Sequence, residues 1–131
     1  MAQELRPGLV GEAVLVVAEE HTARAIGSGA ALVLGTPEMV RLMEQASVAA
    51  VDPHLPAGQS TVGYYLEIRH IAPTPLGLRV TARAELTAVE GNKLTFQVEA
   101  FDEREKIGAG THRRVVVDAA AFQSGADGKA G

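Results

Sequence analysis

One helical stretch followed by four long alternating runs limits what this chain can fold into. Residues 36–51 read TPEMVRLMEQASVAAV, with Met39, Met43, Ala46 and Ala50 at helical spacing and Leu42 beside them, an apolar stripe on one side of a helix. Thr36, Pro37 and Glu38 form a start signal: a capping hydroxyl, a proline where its missing N–H is harmless, and a carboxylate at the positive helix end. Asp52-Pro53 ends the helix, because the residue before a proline avoids helical geometry.

The rest of the chain alternates with the period of β-strands. A first strand is expected over Gly11 to Glu20, and the glycine-bearing stretch from His21 to Gly35 reads as a lid-like loop with a short helical turn. Further strands are expected over 60–73, 78–90, 93–102 and 107–118, the second and third joined by a hairpin at Gly91-Asn92. In the first of these four, Val62, Tyr64, Leu66, Ile68 and His70 are assigned to one face. This pattern predicts an α+β fold, a single domain over residues 1–123 in which a curved antiparallel sheet wraps one central helix. Residues 124–131 are small and polar and are expected to form a disordered tail. A sheet of this kind leaves long edges, so a homodimer or higher homo-oligomer is expected.

Composition removes several function classes. With no cysteine the chain has no thiolate nucleophile, disulfide or zinc-thiolate site, and no histidine pair has metal-ligand spacing, so no metal is expected. A net charge of −4 and the absence of Trp argue against nucleic acid, which demands neutralised phosphates and stacking platforms. No apolar run approaches the length of a membrane span, and the N-terminal stretch MAQELRPGLVGE lacks the basic start and apolar run of an export signal. A cytoplasmic protein without a cofactor is expected, since no phosphate-binding glycine loop is present either.

Thr36, Glu44 and His70 supply a hydroxyl, a carboxylate and an imidazole, the groups that activate a nucleophile against an ester or thioester carbonyl. The plain alternatives are that Thr36 caps the helix, Glu44 faces water, and His70 is a core histidine. Against them, Glu44 flanks the apolar stripe with Val40 and Ser47, away from Glu38, Arg41 and Gln45, and Thr36 lies towards the same side. If Glu44 lies near His70, it can orient the ring as the ring takes a proton. His21, His54 and His112 have weaker claims. Arg69, Arg79, Arg83, Arg113 and Arg114 lie on strands, where a few of them could anchor the phosphates of a coenzyme A ester.

The blocks GTPEMVRLMEQA (35–46), Gly63 with Arg69-His70, PTPLG (73–77), VEGN (89–92) and GAGTHRR (108–114) together resemble the hot-dog-fold thioesterases, in particular the fluoroacetyl-CoA thioesterase-like branch. The likeness runs from about Val10 to Phe122. It implies a catalytic group of Thr36, Glu44 and His70, acyl-site contacts from Gly63 and Arg114, an acyl-CoA substrate, and a site shared between two subunits. Between His21 and Gly35 the chain departs from the branch: fluoroacetate-specific members carry phenylalanines there, and this chain has no aromatic residue. A different short acyl group is therefore expected. A hot-dog hydratase or dehydratase and a non-catalytic acyl-CoA or small-ligand binder are the alternatives; the first would want a differently spaced His-Asp or His-Glu pair, and the second the loss of a triad member.

Overall fold

The computed structural model describes residues 5–131; residues 1–4, part of the stretch read as lacking an export signal, lie outside the described residues. Strand β1 (Val10–Val16) leads through a 3-10 turn and the short helix α1 (Ala23–Ile26) into the long helix α2 (Thr36–Val51). Strands β2 (Gln59–His70), β3 (Arg79–Glu90), β4 (Lys93–Phe101) and β5 (Lys106–Asp118) follow, then helix α3 (Ala119–Asp127). The strands form one antiparallel sheet in the order β1-β3-β4-β5-β2. Helix α2 packs across β1, β3 and β4 and reaches β2, which is the expected single helix wrapped by a sheet.

The core lies between the α2 stripe and the inward positions of β3 and β4. Met39, Met43 and Ala46 are fully buried, as are Val80, Ala82, Ala84 and Leu86 on β3 and Phe96, Val98 and Ala100 on β4. Small residues set how closely the layers approach. A Cβ on Gly11 would collide with the backbone of Ala46, Ala49 and Ala50, so β1 crosses the helix with backbone against backbone. A Cβ on Gly108 would meet the Met39 Sδ at 2.5 Å, which lets β5 slide under the start of the same helix.

Three local readings change. The hydroxyl of Thr36 does not cap α2: Gly35 is the N-cap, Thr36 is the first helical residue, and Pro37 the second. The β2 face differs from strict alternation because a bulge at Tyr64 shifts the register between Gly63 and Tyr65. An extra residue turns the strand over, so Thr61 and Gly63, opposite Val116 and Arg114, share their face with Leu66, Ile68 and His70. Finally, residues 119–127 form a helix that crosses the expected domain end at 123. The Asp118 carboxylate accepts the Ala121 N–H and starts it, and none of its residues is buried.

The Gly91-Asn92 hairpin is present, with Glu90 paired to Lys93 and Gly91 at φ 65°, as a two-residue turn requires. In the segment before α2, Thr22 caps α1 and pairs with Leu34, which ties the two ends of the loop together. Among the described residues no helix is long and apolar enough to cross a membrane.

Replacing Gly11 with valine should lower the unfolding free energy by about 3 kcal/mol, the upper end for overpacking, because the obstacle is helix backbone. Urea denaturation of the variant against the parent measures it.

Candidate functional site

The residues singled out by sequence fall into two groups within one chain. At the start of α2 the Thr36 Oγ1 lies 2.7 Å from the His70 Nδ1. The bond forms because Gly35 carries the capping position, leaving the Thr36 hydroxyl free, while β2 ends beside the helix start. In the first turn of α2 the N–H groups of Glu38 and Met39 donate to the Gly35 carbonyl, and Pro37 has none to offer. The Nε2 of His70 is buried with no hydrogen-bond partner among the described residues. Burial lowers the pKa of His70, partly offset by the Ala72 backbone, so the ring is a neutral base at neutral pH. A cleft of about 390 Å³ opens at this pair and is lined by Ala23, Ser28, Gly29 and Ala31 from the loop before α2.

Glu44 does not reach His70 in the same chain. Eight residues separate it from Thr36, about 12 Å of helix rise, and its neighbours are different. Its Oε2 lies 3.8 Å from the Arg114 Nη1 and 4.0 Å from the His112 Nε2, with its side chain 39% exposed. Glu44 and Arg114 line a second cleft, of about 380 Å³. Gly63 sits where these side chains converge. A Cβ there would stand 2.8 Å from the His112 Cε1, 3.0 Å from the Glu44 Oε2 and 3.2 Å from the Arg114 Nη1. Any larger residue would fill the space the three groups share.

Arg114 is buried and held on several sides. Its Nε donates to the Thr61 Oγ1 at 2.8 Å and its Nη2 to the Thr61 carbonyl at 2.8 Å. The Thr61 hydroxyl in turn donates a hydrogen bond to Asp52 Oδ1 at 2.8 Å, and Ser60 donates to the other oxygen of Asp52 at 3.2 Å. Burial lowers the pKa of Arg114, and the carboxylates of Glu44 and Asp52 oppose the shift, so a guanidinium is retained. His112 is fully buried between the Phe96 ring and the Tyr65 carbonyl, 2.9 Å from its Nδ1.

Sequence reasoning singled out Thr36, Glu44, His70, Gly63 and Arg114 as candidates and gave no part to the neighbouring His112, Thr61 and Asp52. The signal for His112 is present: it lies two residues before Arg114, in phase with Gly108 and Gly110 on one face of a strand. Thr61 is visible only once the bulge at Tyr64 is known. Among the described residues no three His, Cys, Asp or Glu side chains gather as a metal site.

One long helix in the concave face of a five-stranded antiparallel sheet, with a hydroxyl–imidazole pair at the helix start, defines a hot-dog domain of the thioesterase type. The family model for fluoroacetyl-CoA-specific thioesterase matches residues 17–120. A fluoroacetyl-CoA thioesterase from Streptantibioticus cattleyicolor is 44% identical over 92 residues, 70% of this chain and 66% of that relative's length. A solved structure of the fluoroacetyl-CoA thioesterase superposes with a TM-score of 0.88 at 36% identity, over 95% of this chain and 97% of the other. A hot-dog-like protein from Thermanaerovibrio acidaminovorans superposes with a TM-score of 0.88 at 26% identity, over 98% and 96% of the two chains. The chain belongs to the fluoroacetyl-CoA-specific thioesterase family.

Two stability consequences follow from this geometry. Thr61→Val leaves the buried Arg114 Nε without an acceptor, and should cost about 1–3 kcal/mol in urea denaturation. The second concerns pH. Burial lowers the pKa of both His70 and His112 in the folded chain, so the unfolded chain holds more protons below its ordinary histidine value of about 6.5. Stability is therefore fully present above that pH and declines as the pH falls towards the folded values. Denaturation midpoints at pH 7.5 and 5.5 should show it, and the difference should shrink in His112→Gln.

Proposed function

We propose that this protein is an acyl-CoA thioesterase that hydrolyses a short acyl-CoA thioester with Thr36, Glu44 and His70 as its catalytic group. The observation that carries the reading is the 2.7 Å contact between the Thr36 hydroxyl and a His70 ring kept neutral by burial. It sits at a helix N-terminus, where the partial positive charge favours an oxyanion. The family to which the chain belongs supports the same reading.

In this mechanism the thioester carbonyl lies at the start of α2. Glu44 and Thr36 supply the nucleophilic function, with the Thr36 hydroxyl donating to Nδ1, and His70 moves protons. One water is consumed. Over the whole reaction the C–S bond breaks, a C–O bond takes its place at the acyl carbon, one proton of the water passes to the departing thiolate and the other leaves with the acid. Gly63 leaves room for the acyl group beside Glu44, and Arg114 faces the same space. The cleft at Thr36 is lined by Ala23, Ser28, Gly29 and Ala31, with no aromatic side chain, which favours a short acyl group other than fluoroacetyl.

Because Glu44 and His70 are apart in one chain, the active unit is a homodimer in which two copies share each site. β2 is a sheet edge twelve residues long that exposes Tyr64, Tyr65 and Leu66. Antiparallel pairing of two such edges about a two-fold axis near Leu66 and Glu67 sets His70 of one copy opposite Gly63 of the other. Each site then joins Thr36 and His70 from one copy to Glu44 and Arg114 from its mate. The enzyme works in the cytoplasm, where coenzyme A esters are its substrates.

Thiol release from a panel of short, branched and aromatic acyl-CoA esters tests the reading. Activity on some members, reduced at least about 100-fold in His70→Ala and in Glu44→Ala, is the expected outcome. Equal hydrolysis by parent and variants would remove both residues from the mechanism. The acid limb of kcat/KM should lie below the ordinary histidine value, since the base works only while neutral and burial lowers its pKa.

A further inference from the structure

The contact between Glu44 and Arg114 is too long for its chemistry. Carboxylate–guanidinium pairs close to about 2.7–2.9 Å when free to do so, yet the Arg114 Nη1 stands 3.8 Å from the Glu44 Oε2. Two side chains on other sides of the guanidinium account for the gap. Thr61 takes the Nε and, through its carbonyl, the Nη2, and the Nη1 lies 3.2 Å from the His112 Nε2.

We propose that His112 is a positioning residue: its Nε2 lone pair holds Arg114 off Glu44, so that the Glu44 carboxylate stays open to substrate.

The tautomer follows from the surroundings. The Tyr65 carbonyl can only accept, so the proton on the ring belongs to Nδ1 and the lone pair to Nε2. A guanidinium can only donate, which again calls for a lone pair at Nε2. The charged groups facing the ring are Arg114 on its own strand and Glu44 on α2, while β4 presents the Phe96 ring and β2 the Tyr65 carbonyl. Burial, which lowers the pKa of His112, keeps the ring in this neutral form.

The arrangement has a purpose only if Glu44 reacts. A carboxylate that accepts a close hydrogen bond from arginine has the lone pairs on that side engaged, and is a weaker nucleophile and a weaker base towards water. Held at 3.8 Å, Arg114 still provides a positive field without capturing those lone pairs. Gly63 preserves the gap from the third side, because a Cβ there would touch all three groups. The inference therefore rests on the reading of Glu44 as a catalytic group, and its test separates the two.

His112→Leu removes the lone pair at similar bulk, whereas His112→Gln keeps an amide oxygen that can accept from Arg114 and an N–H₂ that can donate to Tyr65. Crystal structures of both variants are compared with their kcat and KM on an acyl-CoA that the parent hydrolyses. In His112→Leu, Arg114 should close on Glu44 to hydrogen-bond distance. Its kcat should fall on the order of 100-fold with little change in KM, and His112→Gln should recover most of it. If Arg114 stays where it is in His112→Leu, the positioning role is overturned, whatever happens to turnover. A closed pair with parental turnover overturns the reading of Glu44 instead, and the kinetic half of this inference with it. Should His112→Leu fail to fold, His112→Gln decides alone: parental kcat with the 3.8 Å gap retained supports the role, and a loss of turnover with the gap retained overturns it.

Discussion

Everything in this molecule is referred to the packing of α2 against the sheet. Helix and strands meet through Met39, Met43, Ala46 and Ala50 on one side and glycine-bearing strands on the other, so close at Gly11 that a single Cβ would collide. A helix seated this tightly has one register. That register decides which side chains face which strand positions: Thr36 meets the end of β2 at His70, and Glu44 meets β2 at Gly63 and β5 at His112 and Arg114. A slide by one helical turn would separate every one of these pairs.

The two groups of side chains differ in how they are built. The Thr36–His70 pair is a single short bond beside an open cleft, with one ring nitrogen left without a partner among the described residues. The Glu44 group is a network. Asp52 holds Thr61, Thr61 holds Arg114, and the Tyr65 carbonyl fixes the ring that receives Arg114 on its other side. Buried charge is tolerated there because the guanidinium has protein acceptors and two carboxylates nearby. A rigid, dry cation beside a half-exposed carboxylate suits a site that must steady negative charge as it forms.

Much of this was legible in the sequence. Helical spacing in 36–51 and strict alternation in β3 and β4 located the core layers, because both periodicities follow directly from burial on one face. The candidate residues Thr36, Glu44 and His70 could be chosen by chemical type, and Gly63 and Arg114 by likeness to a family. The details that failed were those that depend on non-local geometry. Alternation through β2 could not show the bulge at Tyr64, which takes Val62 off the inward face and puts Thr61 on it. A threonine before Pro-Glu looks like a cap, and only the presence of His70 within 2.7 Å shows where its hydroxyl goes. Spacing along a helix gave the side on which Glu44 lies, but not that two turns of rise carry it beyond His70. His112 remained without a role because its partners, Tyr65 and Glu44, come from distant parts of the chain.

If each site joins two half-sites from different copies of the chain, as proposed, two inactive variants should complement one another when mixed. Thr36→Ala disables one half and Glu44→Ala the other. When equal amounts are unfolded together and refolded, half of the dimers pair unlike copies, and each such dimer carries one site free of both substitutions. About a quarter of parental activity should return from two preparations that are each inactive. A mixture that remains inactive, with mixed dimers shown to have formed, would contradict it and place the whole catalytic group within a single copy.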